Sequence, residues 1–385
     1  MSVVFINCTG ETFTPTKSGA IATWAWEVCR SAQKQSIQPW VISRSLADAE
    51  PYQWPNTIFL DYPWIPNFRG TGLGRLLEIQ RQRSGWGHVR QGAYAKKIVR
   101  AIRDGGLEIF PLMLHNDPEL AVHLREKFPE ATIVHLFHNS NPCSEKYRRL
   151  FPSAVTVAAG VSDFNARWQE QYFGFRPGEV KTLYNGVDIE RFTPSAHVPD
   201  GPPVLNFVGR TDATKAPDLL LRAAKKLAET TKNFSVQILG ARYYWGTEPD
   251  DYQRLIEDLS RELEADGIVV RRPGLISRSA LPDELRKAHI HVVPSRWDEP
   301  FGLVALEGMA CGLPTVAARS GGIPEVVDEA GFLFERDSVD GLAAHLATLL
   351  ASRPLREASA LKARARAETF SWDRTWSQIR QLLEL

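Results

Sequence analysis

The sequence has only four cysteines, Cys8, Cys29, Cys143 and Cys311, among 385 residues, and none of them forms a C-x2-C pair. This spacing argues against a structural zinc site and against a dense disulfide framework. So few cysteines are typical of a protein that works in a reducing compartment. We therefore expect a cytoplasmic protein.

Long apolar runs are also missing. The first residues, MSVVFINCTG, lack a basic segment and carry too short an apolar run for a signal peptide, and nowhere do 18 apolar residues follow one another. No charge predominates either, because 46 Lys and Arg face 45 Asp and Glu, a formal net charge of +1. The sequence predicts neither a secreted nor a membrane-spanning protein, and no nucleic-acid partner.

The sequence does contain short β-branched runs that alternate with longer amphipathic stretches. The runs are VVFI, WVIS, TIFL, TIVHLF and AVTVAA in the first half, then VLNFVG, FSVQILG, GIVV, HIHVVPS and LPTVAA in the second. Strands that are apolar on both faces and separated by helices are typical of parallel sheets covered on both sides. We predict an α/β protein of two doubly wound domains.

A segment rich in Pro, Gly and Asp, from Asn185 to Pro203, separates two strand signals and marks the domain boundary. The prediction is a first domain over 1–190 and a second over 191–370. The final stretch, 371–385, has a helical pattern and is expected to pack back on the first domain. The chain length favours two domains, with a single large barrel as the alternative.

The most informative segment reads HVVPSRWDEPFGLVALEGMACGLPTVAARSGGIPEVV, from His291 to Val327. It predicts a strand, a loop that contains Glu299, and a helix that begins after Pro300. Unpaired N–H groups at a helix start bind phosphate. The groups at this helix start belong to Phe301, Gly302 and Leu303. The eight residues from Glu299 to Glu307 separate the two carboxylates by up to roughly 12 Å along the helix axis.

This span matches an extended nucleotide sugar, with the ribose at Glu307, a sugar hydroxyl at Glu299 and the diphosphate over the amides between them. The alternative is that both glutamates are solvated acids at a helix start, which the helix dipole favours. The Gly-rich stretch from Gly312 to Gly322 is more than a helix start requires. Here the sequence resembles the retaining glycosyltransferases of GT-B fold, glycosyltransferase family 4, whose E-x7-E motif Glu299 and Glu307 meet.

The resemblance implies two Rossmann-like domains facing across a cleft, the first for the acceptor and the second for the nucleotide sugar. In NFVGRTDATKAPD, a strand ends at Gly209, and Arg210 and Lys215 follow at the carboxyl edge of the sheet, where ligands bind. The family places this Arg and Lys on the donor diphosphate, where they neutralise charge on the leaving phosphate. No D-x-D triplet occurs, so we expect a reaction without metal or cofactor.

The first domain matches the family less closely. Gly19 lies in the loop after the first strand, where relatives carry a Gly-rich turn near the donor. His138 follows a strand end at the place of the family's active-site histidine, and His115 and His135 are competing candidates. Neighbouring residues at these strand ends are expected to meet the acceptor: Asn116, Asp117 and Asn139.

Three further places are similar to the family. Leu275 and Ile276 stand where relatives receive the nucleobase through backbone contacts. The segment LYNGVD, 183–188, resembles the interdomain hinge strand. Three consecutive aromatic residues, Tyr243, Tyr244 and Trp245, are expected either to line the donor pocket or to pack in the core or a loop.

Positive charge is concentrated in one stretch, 68–105, with nine Lys or Arg against Glu78 and Asp104. Apolar residues are interleaved, which indicates a basic amphipathic helix or helix pair. Our hypothesis is peripheral contact with an anionic membrane, on the inner face of the cytoplasmic membrane. The competing interpretations are an acidic or phosphorylated acceptor and a merely solvated helix face.

Taken with the resemblance, these motifs predict a retaining hexosyltransferase that moves a sugar from a nucleotide-sugar donor, with UDP-sugar favoured, to a hydroxyl of a glycan or lipid-linked acceptor. Cell-surface polysaccharide or lipopolysaccharide biosynthesis is the expected setting. The expected catalytic residues are His138, Glu299, Arg210 and Lys215. The alternatives are another GT-B enzyme, such as an epimerase or a phosphorylase, and a non-catalytic nucleotide-sugar-binding protein.

Overall fold

A computed structural model describes residues 3–8, 10–15, 19–45, 49–62, 86–196, 200–241 and 250–383, with side chains from 92 onward in the helix that begins at 86. The chain divides into two compact units. The first comprises Met1–Tyr184 with Trp372–Leu385, and the second comprises Asn185–Ser371. The sequence predicts these boundaries at 190 and 370.

Within the described residues, the first unit contains a parallel sheet of seven strands. They are β1 (Val4–Ile6), β2 (Trp40–Arg44), β3 (Thr57–Leu60), β4 (Leu112–His115), β5 (Ile133–Phe137), β6 (Val157–Gly160) and β7 (Lys181–Thr182). Their order across the sheet is β3-β2-β1-β4-β5-β6-β7. The central strands β1, β4 and β5 are buried along their whole length, as expected of a parallel sheet covered on both faces.

The second unit contains a parallel sheet of six described strands. They are β8 (Val204–Val208), β9 (Ser235–Leu239), β10 (Val269–Gly274), β11 (Ile290–Val293), β12 (Thr315–Ala318) and β13 (Phe332–Phe334). Their order is β10-β9-β8-β11-β12-β13. The two predicted doubly wound α/β domains are therefore confirmed. The two-residue β7 and three-residue β13 lie outside the predicted strands, because such short strands carry no periodic signal.

The helices follow the strands along the chain. Those of the first unit are α1 (Ala20–Gln33), α2 (Trp86–Asp104), α3 (Pro118–Lys127), α4 (Glu145–Ala154) and α5 (Asp163–Phe173). Those of the second are α6 (Pro217–Ala228), α7 (Asp251–Ala265), α8 (Leu281–Leu285), α9 (Leu303–Ala310), α10 (Ile323–Val327), α11 (Val339–Ala351) and α12 (Arg353–Glu368). Among the described helices, none has the length and apolar character needed to cross a membrane.

The last helix, α13 (Trp372–Leu382), belongs to the first unit and packs on α1. Trp376 is fully buried there. Lys34, just after α1, forms an ion pair of 3.0 Å with Asp373. The Thr375 hydroxyl donates to the Tyr184 carbonyl at 2.9 Å. The C-terminus therefore completes the first unit after the chain has built the second.

The strand order places one ligand-binding edge in each unit. β1 pairs with both β2 and β4, and β8 pairs with both β9 and β11. The direction of winding reverses at β1/β4 and at β8/β11. Open α/β sheets bind ligands beyond the carboxyl ends of the strands at such switch points. The loops after these four strands are therefore where a site is expected.

Candidate functional site

The loops after β8 and β11 meet at the carbonyl of Thr214. This oxygen accepts from the amides of Arg296 at 2.9 Å and Trp297 at 3.0 Å. The hydroxyl of Ser295 also lies 3.2 Å from it. The segments that carry Lys215 and Glu299, which are 84 residues apart in sequence, are thus joined through the backbone at the switch point.

Lys215 and Glu299 form an ion pair. The ammonium of Lys215 donates to Oε1 of Glu299. The Ser295 hydroxyl donates to the same oxygen at 2.6 Å. The side chains of Lys215 and Glu299 are 24% and 12% exposed, so the pair is largely shielded but still accessible. Two of the predicted donor residues are therefore brought into direct contact.

Asp212 organises the two cations that follow β8. Its Oδ2 accepts from Arg210 Nε at 2.6 Å, and its Oδ1 accepts from the amides of Thr214 at 3.0 Å and Lys215 at 3.1 Å. Burial favours the neutral acid, but hydrogen bonds from Thr214 and Arg210 outweigh it and lower the pKa of Asp212. Asp212 is therefore an anion that fixes the loop. Sequence reasoning missed it because turns commonly contain Asp.

Helix α9 begins at the predicted place. Gly302 precedes it with φ +113°, a backbone conformation that favours glycine, and no side chain among the described residues caps this end. The first-turn amides of a helix have no acceptor within the helix. The side chain of Phe301 is buried and packs edge-on against Phe370, with ring centroids 5.9 Å apart. Any contribution of Phe301 to a ligand is thus limited to its backbone.

Glu307 lies on α9 and is only 3% exposed. Its Oε1 accepts from the guanidinium of Arg278 at 2.8 Å. Arg278 follows Leu275, which is 61% exposed, and Ile276, which is half-buried. The ion pair therefore joins the segment predicted to receive the nucleobase to the glutamate predicted to bind the ribose. The sequence does not signal Arg278, since nothing local couples it to a residue 29 positions away.

A glycine turn holds the backbone of Glu299. The amide of Gly322 donates to the Glu299 carbonyl at 2.7 Å. Gly321 has φ +57°, and a Cβ atom added there would lie 2.2 Å from that carbonyl oxygen. The Gly-rich stretch after β12 therefore has a physical function, because only glycine allows the turn to approach Glu299 so closely.

In the first unit, a pair of histidines lies at the carboxyl edge of the sheet. Nδ1 of His115, at the end of β4, is 3.0 Å from Nε2 of His138, just after β5. Trp24 packs edge-on against both rings, at 4.9 Å from His115 and 5.6 Å from His138. Burial lowers the pKa of His138 to about 3, and burial together with the neighbouring histidines lowers that of His115 well below its usual value. Both rings are neutral at neutral pH.

His135 does not belong to this pair and packs among the aromatic residues of the core instead. It is fully buried and packs against Phe137 and Phe151. Its Nε2 accepts from the amide of Asp117 at 3.0 Å, and burial lowers its pKa to about 3. Of the three candidate histidines, His135 is the one whose contacts are those of a core residue.

Asn116 and Asp117 shape the loop that carries His138. Asn116 has φ +51°, and its side-chain oxygen accepts from the amides of His138 at 2.7 Å and Asn139 at 3.3 Å. Asp117 is buried, and its carboxylate caps α3 by accepting from the Leu120 amide at 3.0 Å. Both side chains therefore contribute to the loop scaffold, and their role at the acceptor stays a prediction. Asn139 itself is exposed.

Gly19 immediately precedes α1, and its amide donates to Glu11 at 2.8 Å. A Cβ atom at this position would lie 2.2 Å from the Glu11 carboxylate, so a larger residue would require this side chain to move. Burial raises the pKa of Glu11 to about 7, although the Gly19 amide and Arg44 oppose the shift. Sequence reasoning did not identify Glu11. The aromatic residues Tyr243, Tyr244 and Trp245, and residues 68–85 of the basic stretch, lie outside the described residues.

Comparison with known proteins finds a family similar to the second unit. Residues 188–366 match the family model Glycosyl transferases group 1. The D-inositol 3-phosphate glycosyltransferase of Nocardiopsis dassonvillei is 35% identical over 233 residues, which cover 57% of this chain and 53% of that protein. D-inositol 3-phosphate glycosyltransferase 2 of Catenulispora acidiphila is 42% identical over 168 residues, 40% of this chain and 38% of that protein. The chain spans about half the length of the curated relatives it matches, or less.

Solved structures extend the likeness to the whole chain. Sucrose-phosphate synthase of Thermosynechococcus elongatus has a TM-score of 0.76 at 19% identity, covering 99% of this chain and 98% of that one. The Anabaena protein HepE, in complex with UDP, has a TM-score of 0.70 at 19% identity, covering 100% of both chains. The predicted GT-B class, with two Rossmann-like domains, is confirmed.

Proposed function

We propose that this protein is a glycosyltransferase that moves a sugar from a nucleotide-sugar donor to a hydroxyl acceptor. The contact between Lys215 and Glu299 at the β8/β11 switch point is the observation that carries this proposal. It joins a cation suited to a diphosphate and a carboxylate suited to sugar hydroxyls. The uncapped start of α9 supplies amides for the same diphosphate, and Glu307 lies further along that helix.

In this mechanism, the bond between the sugar and the diphosphate breaks as the acceptor oxygen bonds to the anomeric carbon on the same face. Arg210, Lys215 and the α9 amides stabilise charge on the leaving diphosphate. That diphosphate takes the acceptor's proton, so neither a protein nucleophile nor a metal is needed. Glu299 holds the donor sugar, and Glu307 holds the ribose.

We propose a UDP-sugar as the donor. Support comes from the fold neighbour HepE, which was solved with UDP and with UDP-glucose. The acceptor is a hydroxyl of a glycan or lipid-linked compound, and the relatives named D-inositol 3-phosphate glycosyltransferases add a phosphorylated polyol to the acceptors to be tested.

The first experiment is a thermal-shift panel with UDP, GDP, ADP and dTDP, followed by transfer assays. A ligand at 100 times its Kd stabilises a protein by about 2.7 kcal/mol. We expect such a shift with UDP, and product formation with inositol 3-phosphate or a glycan acceptor when UDP-glucose is supplied. NMR of the product's anomeric proton tests retention. Binding without transfer to any acceptor would favour the non-catalytic alternative, and no binding at all would contradict the proposal.

We further propose that the exposed face of α2 contacts an anionic membrane. Its described part carries exposed cations and a buried apolar face, the cations being Lys96, Lys97, Arg100 and Arg103, and the apolar residues Tyr94, Ile98 and Ile102. Each basic residue near such a surface is worth about 1 kcal/mol. The double variant Lys96→Gln/Arg100→Gln should therefore sediment roughly tenfold or more weakly with vesicles of phosphatidylglycerol and phosphatidylcholine. If the wild type sedimented equally with vesicles of pure phosphatidylcholine and with vesicles that contain phosphatidylglycerol, the proposal would be contradicted.

A further inference from the structure

Ser295 lies just after β11 with 1% of its surface exposed. Its hydroxyl has a single proton and two oxygens within reach, Glu299 Oε1 at 2.6 Å and the Thr214 carbonyl at 3.2 Å. The shorter contact, to an ionised acceptor, is the stronger one. The proton of Ser295 is therefore assigned to Glu299.

Both donors to the Glu299 carboxylate use the same oxygen atom. Oε1 accepts from Ser295 and from the ammonium of Lys215, and no donor in the described part of the chain contacts Oε2. An ammonium has three N–H groups, so Lys215 keeps two for other acceptors. The carboxylate is thus fixed through one oxygen, which leaves the other free to accept a hydrogen bond.

We propose that Ser295 is a positioning residue that orients Glu299 so that Oε2 accepts a hydroxyl of the donor sugar. This inference rests on the proposed function. Ser295 does not contact the nucleotide part of the donor in this arrangement. Its loss should therefore weaken binding of the sugar part and leave binding of the nucleoside diphosphate unchanged.

The test compares the Kd of UDP with the Kd of UDP-glucose, by calorimetry, for the wild type and Ser295→Ala. We expect UDP to bind within twofold of the wild type, and UDP-glucose to bind roughly tenfold more weakly, the effect of one charge-assisted hydrogen bond. The variant Ser295→Cys keeps a weaker donor in a similar volume. Its affinity for UDP-glucose should fall less than that of Ser295→Ala, with UDP binding again unchanged. This provides a second measurement if the alanine variant folds poorly.

Ser320→Ala is the matched control. Ser320 is also fully buried and donates to the same loop, at the carbonyl of Trp297 and not at Glu299. It should change the affinities for UDP and UDP-glucose equally. If Ser295→Ala lost affinity for UDP and UDP-glucose equally, or lost affinity for neither, the inference would be overturned and the proposed function would stand. A wild type that binds none of the four nucleoside diphosphates would instead contradict the proposed function, and the inference with it.

Discussion

Replacing Lys215 with alanine is expected to remove the stabilisation by UDP and to lower kcat/KM for transfer by roughly 10²–10³. The substitution takes a cation away from the diphosphate. It also leaves the Glu299 carboxylate, which the ammonium now contacts, without its charge partner beside an anionic ligand. Both effects act in the same direction. The thermal shift with UDP and the initial rate of transfer measure them separately.

Lys225→Ala is the matched control for this variant. Lys225 forms an ion pair with Glu262 in the same unit, but these side chains are 46% and 49% exposed. Exposed pairs contribute at most about 1 kcal/mol, so this change should leave both the UDP shift and the rate intact. If Lys215→Ala responded to UDP as the wild type does, the ammonium would have no part in binding the diphosphate.

Much of the candidate site in the second unit was predictable because its residues lie in loops just after strands or on a helix. Arg210 and Lys215 follow β8, Glu299 follows β11, and Glu307 lies on α9. A strand end and a helix start can be recognised from local patterns, and the topology of a doubly wound sheet then brings the loops together.

The contacts that complete this site were not predictable in the same way. Ser295 is four residues from Glu299, yet a serine beside a strand end is too common to indicate an orienting hydrogen bond. Arg278 reaches Glu307 only because the loop after β10 returns to α9. Such pairings depend on tertiary geometry, and a single sequence contains no signal for them.

In the first unit, polar residues after a strand end fit a ligand site and a loop scaffold equally well, so residue type alone does not decide between them. The side chain of Asn116 accepts from two amides of the neighbouring loop, and that of Asp117 caps α3. His115 and His138 were predicted as alternative candidates for one position. In the structure their rings contact each other, so they form a pair.

Gly321→Ala is expected to lower the stability of the second unit by roughly 2–4 kcal/mol and to abolish donor binding. The left-handed φ of +57° costs a residue with a Cβ atom about 1–2 kcal/mol. The added Cβ would also lie 2.2 Å from the carbonyl oxygen and 2.5 Å from the nitrogen of Glu299, both backbone atoms. Because backbone cannot rotate away as a side chain can, Glu299 itself must move.

Gly267→Ala separates these two effects. Gly267 has φ +86° in the same unit, but an added Cβ there meets no atom of the described residues within 4 Å. This control should lose only the cost of the left-handed backbone, about 1–2 kcal/mol, and should bind UDP and UDP-glucose as the wild type does. Urea denaturation and calorimetry measure the two quantities. Should Gly321→Ala match the control in both, the glycine turn would not hold Glu299 in place, and the position of that carboxylate would have to come from Lys215 and Ser295 alone.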